Sequence, residues 1–274
     1  MKNTSIFALG LFLLVAVSCS KEEERNVDQQ LLKSSSEIDV TNELDFNAGI
    51  DITTTNSSYS ARPSENTISN DCLTITVDNP GLGVFPKTFV LDYGTGCTFN
   101  GITRSGTLTI TLTDYLMNTG SVMTVERGDD YYINGRKLEG TITYTNTTSN
   151  PTTPQWERTI VNGGIITLNG NYYNFSGERV VTMTEGVGTT TLADNVYEIS
   201  AGTHTISNLA NGATINLTIV EPLIKKYACM NISQGKLALQ GAVLDGILDY
   251  GDNTCDNQAI YIHSNGNQYN VTLF

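Results

Sequence analysis

The sequence predicts an all-β protein, an antiparallel meander closed as a sandwich or a barrel, behind a disordered N-terminal tether. Three observations predict it. Apolar residues alternate with Thr or Asn over residues 73–77, 107–113 and 213–219, which puts the apolar side chains on one face of a half-buried strand. Asn-Gly pairs recur at Asn100, Asn134, Asn162, Asn169, Asn211 and Asn265, and this dipeptide favours the positive φ angles of tight hairpin turns. Between Asp71 and Phe274 no helical stripe appears, which excludes α/β folds with crossover helices.

The elements follow in chain order. Residues 1–18 have the layout of a cleaved export signal: Lys2 gives a basic start, residues 6–17 form an apolar run too short to span a bilayer, and Ala16-Val17-Ser18 lead into Cys19. This pattern resembles a bacterial lipobox, with Ala16 where Leu is usual, and it predicts a lipid on Cys19 that makes the membrane a partner. Lys21, Glu22, Glu23 and Glu24 directly behind it resemble a surface-export signal, so the expected location is the outer membrane, exposed at the cell surface. Residues 19–70 are polar and acidic, with runs such as Ser34-Ser35-Ser36, and are expected to form a tether because they bury too little apolar surface to offset their ordering entropy. Leu31, Leu32, Ile38, Leu44 and Phe46 offer a broken stripe for a short helix within it. Residues 71–274 then form a single β-domain.

Two segments of that domain look like copies. Cys72 begins a strand, and Cys97 ends Leu91-Asp92-Tyr93-Gly94-Thr95-Gly96-Cys97; Cys229 begins a strand, and Cys255 follows Leu248-Asp249-Tyr250-Gly251. Residues at the start of one strand and the end of its antiparallel partner lie opposite, which pairs Cys72 with Cys97 and Cys229 with Cys255. An oxidising compartment and the lack of any Cys-x-x-Cys favour these disulfides over zinc.

The order of Phe85-Pro86-Lys87-Thr88, Leu91-Asp92-Tyr93-Gly94-x-Gly96-Cys97, Tyr132-x-Asn134-Gly135-x-Lys137-x-Glu139-Gly140 and Asp249-Tyr250-Gly251-Asp252-x-Thr254-Cys255 resembles a family of Bacteroidota surface lipoproteins. The resemblance covers residues 71–274. It implies a lipid-anchored all-β body, and it carries over no catalytic residue because no activity is assigned to the family.

Composition and motifs limit the function further. The 274 residues carry 28 acidic and 15 basic side chains, a formal charge of −13, which argues against nucleic acid as a partner. No nucleophile elbow, metalloprotease helix or phosphate loop occurs, so no cofactor is expected. His204 and His263 stand apart in Thr/Asn-rich strands and are expected to be exposed or hydrogen-bonded strand residues, neither ligands nor bases. Three Glu-Arg dipeptides, at Glu126, Glu157 and Glu178, are expected to form cross-strand ion-pair ladders. Among Tyr131-Tyr132, Tyr172-Tyr173 and Trp156, one ring of each Tyr pair should face the core, and Tyr132 and Trp156 are the candidate ligand face. Asp249, Asp252 and Asp256 are a weak calcium candidate against the expectation of no metal, since Asp and Asn commonly cap their own turns. The function expected is non-enzymatic binding, adhesion or scaffolding of an extracellular glycan or protein. A glycan-binding accessory role is the first alternative, and a hydrolase using carboxylates such as Glu126, Glu139, Glu157 or Glu178 is the second.

Overall fold

A computed structural model describes residues 28–59, 67–69, 72–189, 191–242 and 244–274. Residues 1–18, expected as an export signal, Cys19 and the run Lys21 to Glu24 lie outside the described residues. One helix, α1 (Gln29–Tyr59), precedes eighteen strands: β1 (Thr67–Ser69), β2 (Thr74–Val77), β3 (Lys87–Asp92), β4 (Cys97–Phe99), β5 (Ile102–Ser105), β6 (Thr107–Leu112), β7 (Val122–Arg127), β8 (Tyr132–Ile133), β9 (Arg136–Asn146), β10 (Gln155–Ile166), β11 (Tyr172–Glu185), β12 (Val196–Ser200), β13 (Thr203–Asn208), β14 (Thr214–Lys226), β15 (Gln234–Gly241), β16 (Asp245–Asp252), β17 (Gln258–His263) and β18 (Gln268–Thr272).

Every pairing is antiparallel. The registers run β1–β2–β3–β6–β7–β9–β10–β11, then through β12 and β13 to β14–β15–β16–β17–β18. β4, β5 and β8 continue β3, β6 and β7 past short breaks and extend the same meander. The all-β class and the meander follow the period-two pattern: β6 alternates half-exposed Thr107, Thr109 and Thr111 with buried Leu108, Ile110 and Leu112. The sheet is curled, because Phe274, just past the last strand, lies 4.3 Å beneath the guanidinium of Arg136 at the start of β9.

What the sheet curls around is α1, and this corrects the expectation of a tether over residues 29–59. From Leu31 to Ile52 only Lys33 and Asp51 are exposed. The weakly striped segment does form a helix, longer than expected and covered on all sides. Asp28 is its N-cap, with Oδ1 accepting from Leu31 N at 2.9 Å. The hydroxyls of Ser34, Ser35, Ser36 and Thr41 donate to carbonyls three or four residues back, so the polar run satisfies its own buried groups. Phe46 fills the centre, with ring centroids 4.6 Å from Tyr144, 5.8 Å from Trp156 and 5.4 Å from Tyr197.

The carboxylates of α1 are met by arginines of the sheet. Asp45 pairs with Arg127 at 2.8 Å, Glu37 with Arg136 at 2.8 Å, Asp39 with Arg179 at 3.3 Å, and Glu43 with Arg158. Arg127 Nη2 also donates to Asn42 at 2.8 Å, and Tyr131 donates to Asp45 at 2.6 Å. The expected ion-pair ladders are therefore absent. Neighbours on a strand face opposite ways, so Glu126, Glu157 and Glu178 point out to solvent while Arg127, Arg158 and Arg179 point in at the helix. Arg158 and Arg179 stand directly opposite one another across β10 and β11, a like-charge pair that the helix carboxylates neutralise.

The disulfides join Cys72 to Cys97 and Cys229 to Cys255, with Cα atoms 5.2 and 5.4 Å apart. The strand ends differ from the expectation: Cys97 opens β4 after the bend at Tyr93–Gly96 instead of ending β3, and Cys72, Cys229 and Cys255 lie in the loops before β2, before β15 and after β16. The two Asp-Tyr-Gly units share their local contacts, although the first bends after β3 and the second lies inside β16. Asp92 accepts from Gly94 N at 2.8 Å and Asp249 from Gly251 N at 2.9 Å, and Tyr93 and Tyr250 both turn inward.

Two outcomes test this interior. Asp45→Ala leaves Arg127 buried without its partner and should cost about 3–5 kcal/mol in urea unfolding. Lys225, buried with its ammonium donating to the carbonyls of Lys226 and Cys229, has its pKa pushed down to about 8 by burial. Between about pH 8 and 10 the unfolded chain holds a proton that the folded chain has released, so stability should rise with pH across that window. Lys225→Met should flatten the rise; an unchanged slope would mean that Lys225 is not its source.

Candidate functional site

With the interior filled by α1, the cleft that offers itself to a ligand lies on the outer face of β9, β10, β11 and β13. Its origin is a β-bulge. The Asn-Gly pair at Asn162 was expected to make a turn, but it lies within β10, where the register shifts between Ile160 and Gly163 against β11. Asn162 takes a φ of 53°, and a Cβ at Gly163 would stand 2.5 Å from the Phe175 ring, so only glycine lets the bulge sit down on β11. The cleft beside it has a volume of about 460 Å³.

Its lining is polar and mostly uncharged. Asn162, Asn174, Ser176, Thr205 and Ser207 surround Tyr172 and Glu139. Lys137 Nζ lies 2.7 Å from Glu139 Oε1, and the Tyr172 hydroxyl donates to Glu139 Oε2 at 2.7 Å. These two hydrogen bonds, first from Lys137 and then from Tyr172, hold the Glu139 carboxyl below its usual range, so it stays ionised. Tyr172 is shifted upward by the same contact and remains a neutral phenol. The registers put Tyr132, Lys137, Ile166 and Tyr172 in one row across β8–β11. At ~4.8 Å per strand, the two outward tyrosines stand about 14 Å apart with Lys137 between them.

Of the two residues expected to form a ligand face, Tyr132 is outward and half-exposed. Trp156 is not: it is wholly buried, and its Nε1 donates to Leu116 O at 3.3 Å, so it belongs to the cluster around Phe46. The expectation that one ring of each Tyr pair faces the core holds, with Tyr131 and Tyr173 buried. Tyr172 and Glu139 were both in view in the sequence, but the bulge that joins them was hidden in an Asn-Gly pair resembling all the others.

The remaining candidates are placed elsewhere. Asp249, Asp252 and Asp256 each accept from a group two residues on: Gly251 N, the Thr254 hydroxyl and Gln258 N. Among the described residues no three His, Cys, Asp or Glu side chains converge as metal ligands. His263 shares a 2.9 Å hydrogen bond with Tyr261. His204 is buried 3.9 Å from Asp39, and burial together with Arg179 and Arg158 depresses its pKa, so it is neutral in the fold. Among the described residues no helix is long and apolar enough to cross a membrane.

Comparison with protein-family models, with curated proteins and with solved structures finds no match to this chain.

The division between core and cleft is measurable. Trp156→Ala should cost about 3–5 kcal/mol in chemical denaturation, as expected for a fully buried ring. Tyr172→Phe removes one half-exposed hydroxyl and should cost at most ~1 kcal/mol. Comparable losses for the two would place Tyr172 in the core as well.

Proposed function

We propose that this chain is a lipid-anchored, surface-facing protein whose β10 cleft binds an extracellular carbohydrate without turning it over. The observation that carries this reading is the cleft lining. Sugar hydroxyls need paired donors and acceptors, which Asn162, Asn174, Ser176, Thr205 and Ser207 supply, and Glu139 is a fixed carboxylate acceptor. The faces of Tyr172 and Tyr132 offer apolar support for C–H surfaces of a pyranose. A deeply charged ligand is a poorer fit, because the one lysine at the site is committed to Glu139.

The lining also favours binding over hydrolysis. Glycoside hydrolysis ordinarily needs two carboxyl groups flanking the bond, one of them protonated, and Glu139 is the single carboxylate among the cleft residues and is held ionised. The lipid anchor at Cys19 and the outer-membrane location rest on the signal sequence.

The test is a glycan array probed with the purified chain, followed by calorimetry on the sugars retained. Tyr172→Ala and Glu139→Gln should each weaken binding about tenfold or more, with no product released on prolonged incubation. A blank array with a folded protein would return the reading to adhesion or scaffolding. Product formation abolished by Glu139→Gln would make it a hydrolase.

A further inference from the structure

The connections at the two edges of the sheet differ in chemistry. In an antiparallel meander successive connections alternate between edges, so the turns β4–β5, β8–β9, β10–β11 and β13–β14 share one edge with the β15–β16 and β17–β18 connections, beside which Asp245 is exposed. They adjoin: Thr103 N donates to Asn134 Oδ1 at 2.8 Å, a Cβ at Gly135 would lie 3.1 Å from Leu168, and Leu209 N donates to Tyr172 O at 3.0 Å. Three of these four turns carry an apolar tip, with Phe99 73%, Leu168 64% and Leu209 51% exposed. In a chain of net charge −13, none of the four holds a charged residue: they read Asn100-Gly101, Asn134-Gly135, Leu168-Asn169-Gly170-Asn171 and Leu209-Ala210-Asn211-Gly212.

At the opposite edge, the β2–β3, β6–β7, β11–β12 and β16–β17 connections carry Asp78, Asp114, Asp194 and Asp256. Leu82, Val84, Tyr115 and Met117 are exposed there too, but on two of these acid-bearing loops, and Phe85 and Tyr115 pack on each other. The chain also enters at the first edge, through Asp28. Gln30, in the first turn of α1, accepts from Asn169 Nδ2 at 3.1 Å. Nine residue steps separate Cys19 from Asp28, a reach of at most ~30 Å fully extended.

We propose that the rim of these four uncharged turns, with Phe99, Leu168 and Leu209 at its tips, seats on the phospholipid surface that holds the N-terminus. The inference rests on the lipid-anchor reading and adds an orientation to it. Apolar tips gain by entering the headgroup region, and the absence of acids from the four turns spares them the repulsion that the other edge would meet at an anionic leaflet. In this pose the acidic loops point away from the bilayer and the cleft opens sideways along it.

Full-length protein isolated from membranes and carrying Phe99→Trp, Leu168→Trp or Leu209→Trp, one per protein, is reconstituted in phosphatidylethanolamine/phosphatidylglycerol vesicles with brominated acyl chains. Emission from each introduced tryptophan should be lost relative to unbrominated vesicles, while Leu82→Trp keeps its emission; the native Trp156 is buried and gives a constant background. Flotation of the same vesicles reports anchoring separately. Protein that floats with its rim tryptophans unquenched, or with Leu82→Trp quenched equally, overturns the seat and leaves the anchor standing. Protein that fails to float overturns both.

Discussion

The ionic match between α1 and the inner face of the sheet is the constraint on which the rest of the structure depends. A carboxylate taken from water into an apolar interior costs several kcal/mol unless it is paired and hydrogen-bonded. Glu37, Asp39, Glu43 and Asp45 are all buried, and each has an arginine within salt-bridge distance. At ~100° per residue, Glu37 and Asp45 project to one side of the helix and Asp39 and Glu43 to the other. The arginines that meet them come from four neighbouring strands, β7, β9, β10 and β11, whose curved inner face follows the helix. The same charges choose the helix position: sliding α1 by one turn, four residues, would bring Thr41, Asn47 and Gly49 in place of Glu37, Glu43 and Asp45 and leave three arginines without a carboxylate. Pairing of this kind adds little net stability over an apolar core, but it penalises every other register.

Filling the interior decides where function can lie. Many curled antiparallel sheets keep a lumen for a ligand, and here that space holds Phe46, Ile38 and Ile50 together with the ionic network. The space left for a cleft is on the outside of the sheet, whose outward strand positions are rich in Thr, Ser, Asn and Glu. A uniformly pleated face of that kind is nearly flat and holds small molecules poorly. The bulge at Asn162 breaks the flatness, and it turns a stretch of polar sheet into a cleft with Glu139 locked by Lys137 and Tyr172.

The strands were legible in the sequence because each buries one face, and period two survives in sequences as plain as that of β6. The disulfides were legible because the repeated spacing of the four cysteines leaves few geometric options. The helix was not, for a physical reason. An amphipathic stripe marks a helix with one dry side and one wet side, and α1 has no wet side; its polar residues are buried against polar partners 80 or more positions away. Propensity added nothing, since Ser, Thr, Asn and Asp favour turns until their hydroxyls and carboxylates find partners. A signal was present in the Glu-Arg dipeptides. Strand neighbours face opposite ways, so each dipeptide had to bury one of its charges, and a net-acidic segment elsewhere in the chain was the available counter-charge. The cleft was illegible for a smaller reason: six Asn-Gly pairs look identical, and only the position of Asn162 inside a long strand distinguishes a bulge from a turn.

The internal duplication fits this division between a braced interior and an outward-facing site. Both Asp-Tyr-Gly units, the first in the bend after β3 and the second inside β16, have an aspartate that caps the backbone and a tyrosine that turns in. Tyr93 lies 5.7 Å from Arg104, which in turn donates to the Leu44 carbonyl, and the Tyr250 hydroxyl reaches Asp39 at 3.3 Å. One inward tyrosine thus braces the helix at each flank, Tyr93 just past β3 by way of Arg104 and Tyr250 of β16 directly, and each flank is locked by a disulfide. The strands that form the cleft, β9 to β13, belong to neither copy. A duplicated unit can hold the two flanks of the sheet against α1 with one repeated solution, whereas a binding cleft needs a single irregularity, and the irregular β10 lies in the unrepeated middle.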